Sequence, residues 1–188
     1  MFKLGKKNSE SQVLSDMNAF TKQKRYEALV QAYHQDIYRY GYWLTGDASV
    51  AEDITQETFL RAWKSLDSLK DEKAAKSWLI TIFRRENARR FERKQFDIAD
   101  VDEQTVSDDF SATSEQQIEQ HWLHKHIASL EAEYREPLVL QVIGGFTGDE
   151  IAEILELNSN TVMTRLFRAK NQLKAIMDES NTQLRVVK

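Results

Sequence analysis

Apolar residues recur at intervals of three and four along most of the chain, which is the spacing of helices that bury one face. One such run extends from Tyr26 to Leu44 and is expected to end near Gly46. A third helix is expected to begin near Ser77. Between them, a second helix capped by Asp47 or Ser49 is expected, with Glu52 completing S-x-x-E, and its predicted buried residues are Ile54, Phe59, Ala62, Trp63 and Leu66.

The same spacing continues in the second half of the chain. A helix is predicted from about Trp122 to Leu130, and Pro137 is placed in the first turn of the next helix, which Gly144 and Gly145 end. No segment alternates apolar and polar residues as a strand does, and no hairpin turn signal is found. The pattern therefore predicts an all-α protein.

Residues 146–170 have the pattern of a helix-turn-helix. Thr147 and Glu150 form the motif T-x-x-E, in which each side chain bonds an unpaired amide at a helix N-terminus, so a helix is expected to begin near Asp149. Ser159 is the expected cap of the second helix. The inward side of that second helix is predicted from its apolar residues, which are Val162, Leu166, Ala169 and Leu173.

The outward side of this second helix is basic. Four basic residues and no acidic one lie between Val162 and Lys174. Such a face neutralises phosphates and reaches base edges, which indicates binding to double-stranded DNA. The alternative is an amphipathic helical hairpin whose basic face is only solvated.

The formal charge of −4 is unevenly distributed along the chain. Residues 95–120 carry eight acidic side chains and no basic one, so the remainder of the chain has a formal charge of +4. Weak apolar periodicity and several Ser and Thr residues in this segment are typical of a linker between domains. The predicted fold is therefore two small helical domains joined by an acidic linker, with the helix-turn-helix in the second.

Composition excludes several classes of protein. The 188 residues include no cysteine, which excludes disulfide frameworks and thiolate metal sites. No run approaches eighteen apolar residues, and the N-terminal segment lacks the apolar core of a signal peptide. We therefore expect a soluble cytoplasmic protein without membrane insertion.

The common motifs of enzyme sites are also missing from the sequence. It has no GxxxxGK[ST] phosphate loop, no GxSxG elbow and no HExxH pair. His121, His124 and His126 lie close together, but with no acidic or thiolate partner in register we interpret them as solvated residues at the end of the linker. We expect no enzyme activity, no catalytic residue, no metal or cofactor, and no small-molecule substrate.

Two surfaces of the first domain suit partners. On the second helix Asp53, Gln56, Glu57 and Leu60 share one face, which fits either a partner helix or a solvated acidic surface. The third helix carries six basic residues between positions 84 and 94, near Trp78 and Phe83. Arginines with aromatic residues hold single-stranded nucleic acid, although aromatic residues at helical spacing are also typical of a core.

Three segments in this order resemble the extracytoplasmic-function sigma factors, the compact bacterial RNA polymerase specificity subunits. TGDASVAEDITQETFLRAWKSLDSL is similar to the polymerase-binding helix of that family, and SWLITIFRRENARRFERK to the helix that meets the minus-ten promoter element. LEAEYREPLVLQVIGGFTGDEIAEIL with NTVMTRLFRAK is similar to the domain that reads the minus-thirty-five element. The likeness covers about residues 25–94 and 121–176.

The resemblance implies a role for each surface. The face of Asp53, Gln56, Glu57 and Leu60 would bind the clamp helices of the polymerase largest subunit. An unpaired non-template base and the strand beside it would be held at the minus-ten element by Lys70, Lys73, Lys76, Arg84, Arg85 and Arg89. The minus-thirty-five element would be contacted by Thr161, Met163, Thr164, Arg165, Phe167 and Arg168. The acidic linker would thread toward the polymerase active site.

The expected function is therefore that of a sigma factor, with core RNA polymerase, promoter DNA and an anti-sigma factor as partners. The expected organisation is an N-terminal tail (1–24), sigma region 2 (25–94), the linker (95–120), sigma region 4 (121–177) and a C-terminal tail (178–188). A stand-alone helix-turn-helix repressor is the alternative. It would bind DNA tightly without polymerase.

The sequence departs from the family pattern at several positions. Met163 stands where the family commonly has Lys or Arg, and Glu156 replaces the usual glycine of the turn, where a positive φ would cost about 1 kcal/mol. RREN at residues 84–87 replaces a common Arg-Asn signature, and the first twenty residues match nothing in the family.

Overall fold

The computed structural model describes the backbone of residues 5–97 and 115–186, and the side-chain surroundings of residues 20–93 and 121–178. The first half contains α1 (Gly5–Thr45), α2 (Ala48–Ser65) and α3 (Ala75–Asp97), and the second half contains α4 (Glu115–Ala128), α5 (Ala132–Val142), α6 (Gly148–Leu155) and α7 (Ser159–Val186). Two 3-10 turns, Leu66–Ser68 and Glu72–Ala74, connect α2 to α3. The described residues form no strand, and the predicted all-α class is confirmed.

The ends of α1 and α2 follow from local chemistry. Gly46 adopts a φ of 77°, which ends α1 as its sequence position predicts. Asp47 caps α2, since its carboxylate accepts a hydrogen bond from the amide of Val50 at 2.9 Å. The prediction of a capping box formed by Ser49 and Glu52 is wrong. Ser49 lies inside the helix, and Glu52 instead accepts a hydrogen bond from Gln56 at 3.1 Å.

The helix-turn-helix is formed by α6 and α7. The capping box of Thr147 and Glu150 is present in both directions, so the sequence motif is confirmed. Glu156 ends α6 in the left-handed region, with φ 55° and ψ 42°. The cap of α7 lies one residue earlier than predicted, because Asn158 accepts from the amide of Thr161 at 2.7 Å. The Ser159 hydroxyl instead donates to Asp149 at 2.8 Å.

Helices run across the four predicted segment boundaries. Because α1 begins at Gly5, most of the predicted tail 1–24 is helical, and α7 extends to Val186 through most of the predicted tail 178–188. The predicted linker overlaps α3 at one end and α4 at the other, and its residues 98–114 lie outside the described residues. Pro137 is the sixth residue of α5 instead of lying in its first turn, because the carbonyl of Glu131 accepts the amides that start the helix.

The buried core continues from one half into the other. Tyr40, Phe83 and Leu79 are completely buried in the first half, and the same cluster includes Leu140 and Ile151 of the second half. The helices α4 and α5 pack against α1, and α6 packs against α3. The two halves therefore lie directly against each other.

Two large aromatic side chains are exposed to solvent. Trp63, predicted to be buried, is 38% exposed, and Phe91 of α3 is 61% exposed. The Trp63 ring meets Tyr26 edge-on at 5.1 Å, and the ammonium of Lys22 lies 5.4 Å from its centroid. Trp63 therefore lies at the edge of the core. Among the described residues no helix is both long and apolar enough to cross a membrane.

Candidate nucleic-acid interface and partner-binding faces

The acidic face of α2 consists of Asp53, Gln56, Glu57 and Leu60. The opposite side of the helix is held in the core by buried Ile54, Thr55, Thr58 and Phe59. The side chains of the acidic face therefore point away from the core. Leu60 is 56% exposed, although a leucine gains free energy by burial. The arrangement joins an exposed apolar residue to carboxylates, as the sequence predicts.

The carboxylates of this face have partners that solvent can replace. Arg90 approaches Asp53 at 3.3 Å and Arg61 approaches Glu57 at 2.9 Å, and every side chain in the two pairs is at least 41% exposed. Ion pairs this exposed contribute little to stability. A cationic partner can therefore take over these carboxylates at small cost.

The six residues predicted for the minus-ten element have different environments. Lys70, Lys73 and Arg85 are exposed. Arg89 is paired with Glu86, whose side chain is 8% exposed, at 2.6 Å. Because Glu86 is buried, this pair is partly structural, and the guanidinium of Arg89 is only half free for another partner.

Lys76 and Arg84 lie at the seam between the two halves. Lys76 pairs with Asp36 at 2.6 Å, and its ammonium lies 5.8 Å from the centroid of the Phe146 ring in the second half. The Nε of Arg84 donates to Glu136 at 2.6 Å, and its Nη1 donates to the carbonyl of Ile154. Arg84 therefore binds the second half of the chain in this arrangement, whereas Lys76 binds Asp36 of the first half and lies beside Phe146 of the second.

An interdomain network of Tyr40, Arg84 and Glu136 surrounds this contact. The Tyr40 hydroxyl donates to Glu136 at 3.1 Å. Burial raises the pKa of Tyr40 well above its ordinary value, and the charge of Glu136 adds to the effect, which Arg84 opposes. Nearby, Arg135 donates to the carbonyl of Leu44 at 3.0 Å, and burial lowers the pKa of its guanidinium.

A groove of about 410 Å³ separates the loop of residues 70–76, which carries the lysines predicted for the minus-ten element, from the helix-turn-helix. Asp71, Lys73 and Trp78 line one wall, and Glu150 and Glu153 of α6 line the other. The pKa of Glu150 is lowered by the hydrogen bonds from Thr147. With acidic side chains facing its loop, the minus-ten surface is partly covered by the second half.

The recognition face of α7 consists of Thr161, Met163, Thr164, Arg165, Phe167 and Arg168. Buried Val162, Leu166 and Ala169 hold the other side of α7 against the core, as the spacing predicts. Met163 and Phe167 are 58% and 67% exposed. Unlike the minus-ten surface, the recognition face is open to solvent.

The two arginines of the recognition face are oriented by α5. Arg165 pairs with Glu133 at 3.1 Å, and Arg168 donates to the hydroxyl of Tyr134 at 3.3 Å. This hydrogen bond also raises the pKa of Arg168. Since Glu133 is 45% exposed, the ion pair positions Arg165 without holding it strongly.

The three clustered histidines do not form a solvated linker end. His124 is buried, and its Nε2 lies 2.9 Å from the carbonyl of Tyr42, to which it donates. Its ring stacks on the Tyr42 ring with 4.0 Å between centroids. Burial lowers the pKa of His124, and His121 lowers it further. Within the described ranges no group of three His, Cys, Asp or Glu side chains is placed to hold a metal.

Sequence reasoning missed Glu136 and His124 as contact residues. Glu136 is 52 positions from Arg84, and His124 is 82 positions from Tyr42. No local pattern pairs residues so far apart in one sequence.

Two family models match the chain. Sigma-70 region 2 matches residues 29–96, and Sigma-70 region 4 matches residues 120–173. The RNA polymerase sigma factor SigV of Bacillus subtilis is 33% identical over 135 residues, which cover 72% of this chain and 80% of that relative. The ECF RNA polymerase sigma factor SigL of Mycobacterium tuberculosis is 30% identical over 164 residues, covering 81% and 90%.

Solved structures share the fold. The sigma factor RpoE of Bartonella quintana, solved with the anti-sigma factor NepR, superposes with a TM-score of 0.68 at 22% identity, covering 82% of this chain and 98% of that one. CnrH, solved with the cytosolic domain of CnrY, gives a TM-score of 0.63 at 22% identity, covering 89% and 96%.

Proposed function

The chain belongs to the sigma-70 family, in the extracytoplasmic-function branch of RNA polymerase sigma factors, and we propose that separate exposed faces divide its work between polymerase and DNA. As a sigma factor it directs core RNA polymerase to specific promoters and assists transcription initiation. The observation that carries the division is that the acidic face of α2 and the recognition face of α7 are both exposed while the two halves are packed together.

The acidic face of α2 binds core polymerase in this proposal. Leu60 supplies an apolar contact, and Asp53 and Glu57 supply charges whose present partners are solvent-exposed. A helical partner with basic residues around an apolar one complements this face. Transfer of the carboxylates from Arg61 and Arg90 to such a partner costs little, because exposed pairs are weak.

The recognition face of α7 binds the minus-thirty-five element in the major groove. Thr164, Arg165 and Arg168 provide hydroxyl and guanidinium donors for phosphates and base edges. Because Glu133 and Tyr134 orient the two arginines before DNA arrives, less side-chain entropy is lost on binding.

Binding at the minus-ten element requires the two halves to separate. The minus-ten and minus-thirty-five elements lie roughly 80 Å apart along DNA at about 3.4 Å per base pair. In the packed arrangement Arg84 and Lys76 contact the second half directly. Arg84 and Lys76 become available to DNA when the interdomain network opens, and they join Lys70, Lys73, Arg85 and Arg89, which are exposed in the packed arrangement. The energy for opening comes from binding polymerase and promoter.

We also propose regulation by an anti-sigma factor, in the cytoplasm and without an enzymatic activity of the chain itself. Of two proteins that share the fold, RpoE of Bartonella quintana was solved with the anti-sigma factor NepR, and CnrH with the cytosolic domain of CnrY. An anti-sigma factor that favours the packed arrangement would keep Arg84 on Glu136 and so limit access to the minus-ten surface.

Paired variants test the division of labour. Asp53→Lys with Glu57→Lys is expected to weaken association with core polymerase by more than a hundredfold, since two attractive contacts become repulsive. The matched control is Glu27→Lys with Glu131→Lys, which makes the same charge change at exposed positions outside the proposed faces. Arg165→Ala with Arg168→Ala is expected to keep polymerase association and to reduce transcription from the cognate promoter about thirtyfold.

Association is measured with purified core polymerase, and transcription with a promoter pool. If the Asp53 and Glu57 double variant binds core polymerase as the control does, the acidic face is not the interface. The repressor alternative makes the opposite prediction for DNA. Nanomolar, sequence-specific binding by the free chain in the absence of polymerase would favour it.

A further inference from the structure

The recognition face presents two large apolar side chains to solvent. Met163 is 58% exposed and Phe167 is 67% exposed. They are four residues apart on α7, so their Cβ atoms are neighbours at roughly 5–6 Å. Leaving this much apolar surface in water is unfavourable, which indicates a contact made only in a complex.

The two side chains are held outward by the packing of α7. Val162 and Leu166, which precede them in sequence, are buried in the core at 0% and 2% exposure. On the other side, the sulfur of Met163 lies 3.3 Å from the position that a Cβ at Gly148 would occupy. The Met163 side chain therefore rests on the backbone at the start of α6, and the lack of a side chain at Gly148 leaves room for it.

The surroundings of this apolar pair are those of a DNA contact. Thr161, Thr164, Arg165 and Arg168 line an open concavity of about 570 Å³ beside it, with Asn158 and Asn160 at its rim. Hydroxyl, amide and guanidinium groups suit phosphates and base edges. In the major groove the one apolar group that a base pair offers is the C5 methyl of thymine.

We propose that Met163 and Phe167 read thymine methyl groups, so that this chain requires A·T base pairs at two neighbouring positions of its minus-thirty-five element. The inference rests on the proposed DNA-binding role of the recognition face and specifies its chemistry. Lysine or arginine at position 163 would donate to guanine N7 and O6. A methionine has no hydrogen to donate, and its contact with a methyl group favours thymine.

The test uses the full-length chain with core polymerase. A promoter is selected from a pool randomised across the minus-thirty-five element, and each thymine of the selected element, on either strand, is then replaced by deoxyuridine. This substitution removes one methyl group and leaves base pairing unchanged. We expect transcription at limiting holoenzyme to fall about fourfold at each of two positions, the factor for burial of one methyl-sized group. Replacement of thymines outside the element is the control.

Single variants show which of the two side chains contacts each thymine methyl group. Met163→Ala is expected to abolish the difference between thymine and deoxyuridine at one position, and Phe167→Ala at the other. Met163→Lys is expected to shift the selected base pair at its position from A·T to G·C. All three should bind core polymerase as tightly as the unchanged chain, because the acidic face of α2 is distant from α7 in sequence and packing.

Three outcomes would overturn the inference. One is equal transcription with thymine and deoxyuridine at every position of a promoter that the holoenzyme does use. Another is a difference that survives in the Met163→Ala, Phe167→Ala double variant, which would assign the reading to other residues. The last is loss of core polymerase binding in these variants, which would show that Met163 and Phe167 contact polymerase. Failure of the holoenzyme to use any promoter would instead overturn the proposed function.

Discussion

The two arginines on the recognition face of α7 and Arg84 of α3 differ in where their partners lie in the chain. On α7, Arg165 and Arg168 contact residues of α5 in the same half, and their face stays open. On α3, Arg84 contacts Glu136 and Ile154 in the other half. The recognition face is thus formed by contacts within one half, whereas access to Arg84 depends on the position of the whole second half.

This difference makes α5 the helix on which both arrangements meet. Its Glu133 orients Arg165 of α7, and its Glu136 holds Arg84 of α3. The two carboxylates are three residues apart, on one helix, and each accepts from one arginine. They therefore form a matched pair with which the local and the long-range contact can be compared directly.

Glu136→Ala is expected to have the largest effect on stability. It leaves the buried Tyr40 hydroxyl and the part-buried Arg84 without their acceptor, and losing one partner of such a network costs on the order of 3 kcal/mol. We expect the free energy of unfolding in urea to fall by about this amount. Small-angle scattering should also show a larger fraction of molecules with separated halves.

Glu133→Ala is the matched control for this variant. Glu133 is 45% exposed in its pair with Arg165, so its loss should change the free energy of unfolding by about 0.5 kcal/mol or less. Equal destabilisation by the two substitutions would contradict the distinction between local and long-range contacts. The interdomain network would then contribute no more than an exposed ion pair.

The same distinction explains what the sequence predicts and what it does not. The capping box of Thr147, the outward face of α7 and the glycine end of α1 depend on residues within four positions, and these expectations agree with the structure. The burial of His124 and the pairing of Arg84 depend on packing between halves, which one sequence does not encode as a local pattern. For the same reason the charge on α3 identifies a basic helix without revealing which cations are free.

Two further predictions differ from the structure by small, local amounts. Asn158 takes the capping position predicted for Ser159, because both residues are good caps and only the backbone decides between them. Trp63 has the spacing of a core residue but lies two residues before the end of α2, and its ring is part-exposed. Spacing predicts the face of a helix, but the extent of a neighbouring helix decides how much of that face is buried.

A pH dependence is expected from His124, the other long-range contact. Burial is the largest cause that lowers its pKa from the ordinary value of 6.5; the hydrogen bond to the carbonyl of Tyr42 opposes this shift, and His121 adds to it. The folded state therefore resists protonation, so stability is fully present above pH 6.5 and is lost as pH falls through the lowered pKa. Between pH 7 and pH 5.5 we therefore expect this group to lower the free energy of unfolding.

His124→Gln should remove this contribution while keeping an amide donor near the carbonyl of Tyr42. The matched control is His126→Gln, since His126 is on the same helix and only half-buried. Urea unfolding at a series of pH values measures both. If the dependence of unfolding free energy on pH were unchanged in His124→Gln and reduced in His126→Gln, the titrating residue would be His126, and the prediction would be wrong. Glu150 contributes only at lower pH, since its pKa is depressed below 4.5.

The smallest expected effect concerns the turn that aims the recognition helix. Glu156 has a φ of 55° and a ψ of 42°, a conformation that costs a residue with a Cβ on the order of 1 kcal/mol. Glu156→Gly removes this strain but adds conformational entropy to the unfolded chain, so we expect a net gain of about 0.5 kcal/mol in the free energy of unfolding. Glu153→Gly, at an exposed and ordinary helical position of α6, should instead lose about 1 kcal/mol. The strain is confined to one residue of a local turn, so neither substitution should change the fraction of molecules with separated halves. A change in that fraction would show that the turn is coupled to the interdomain network.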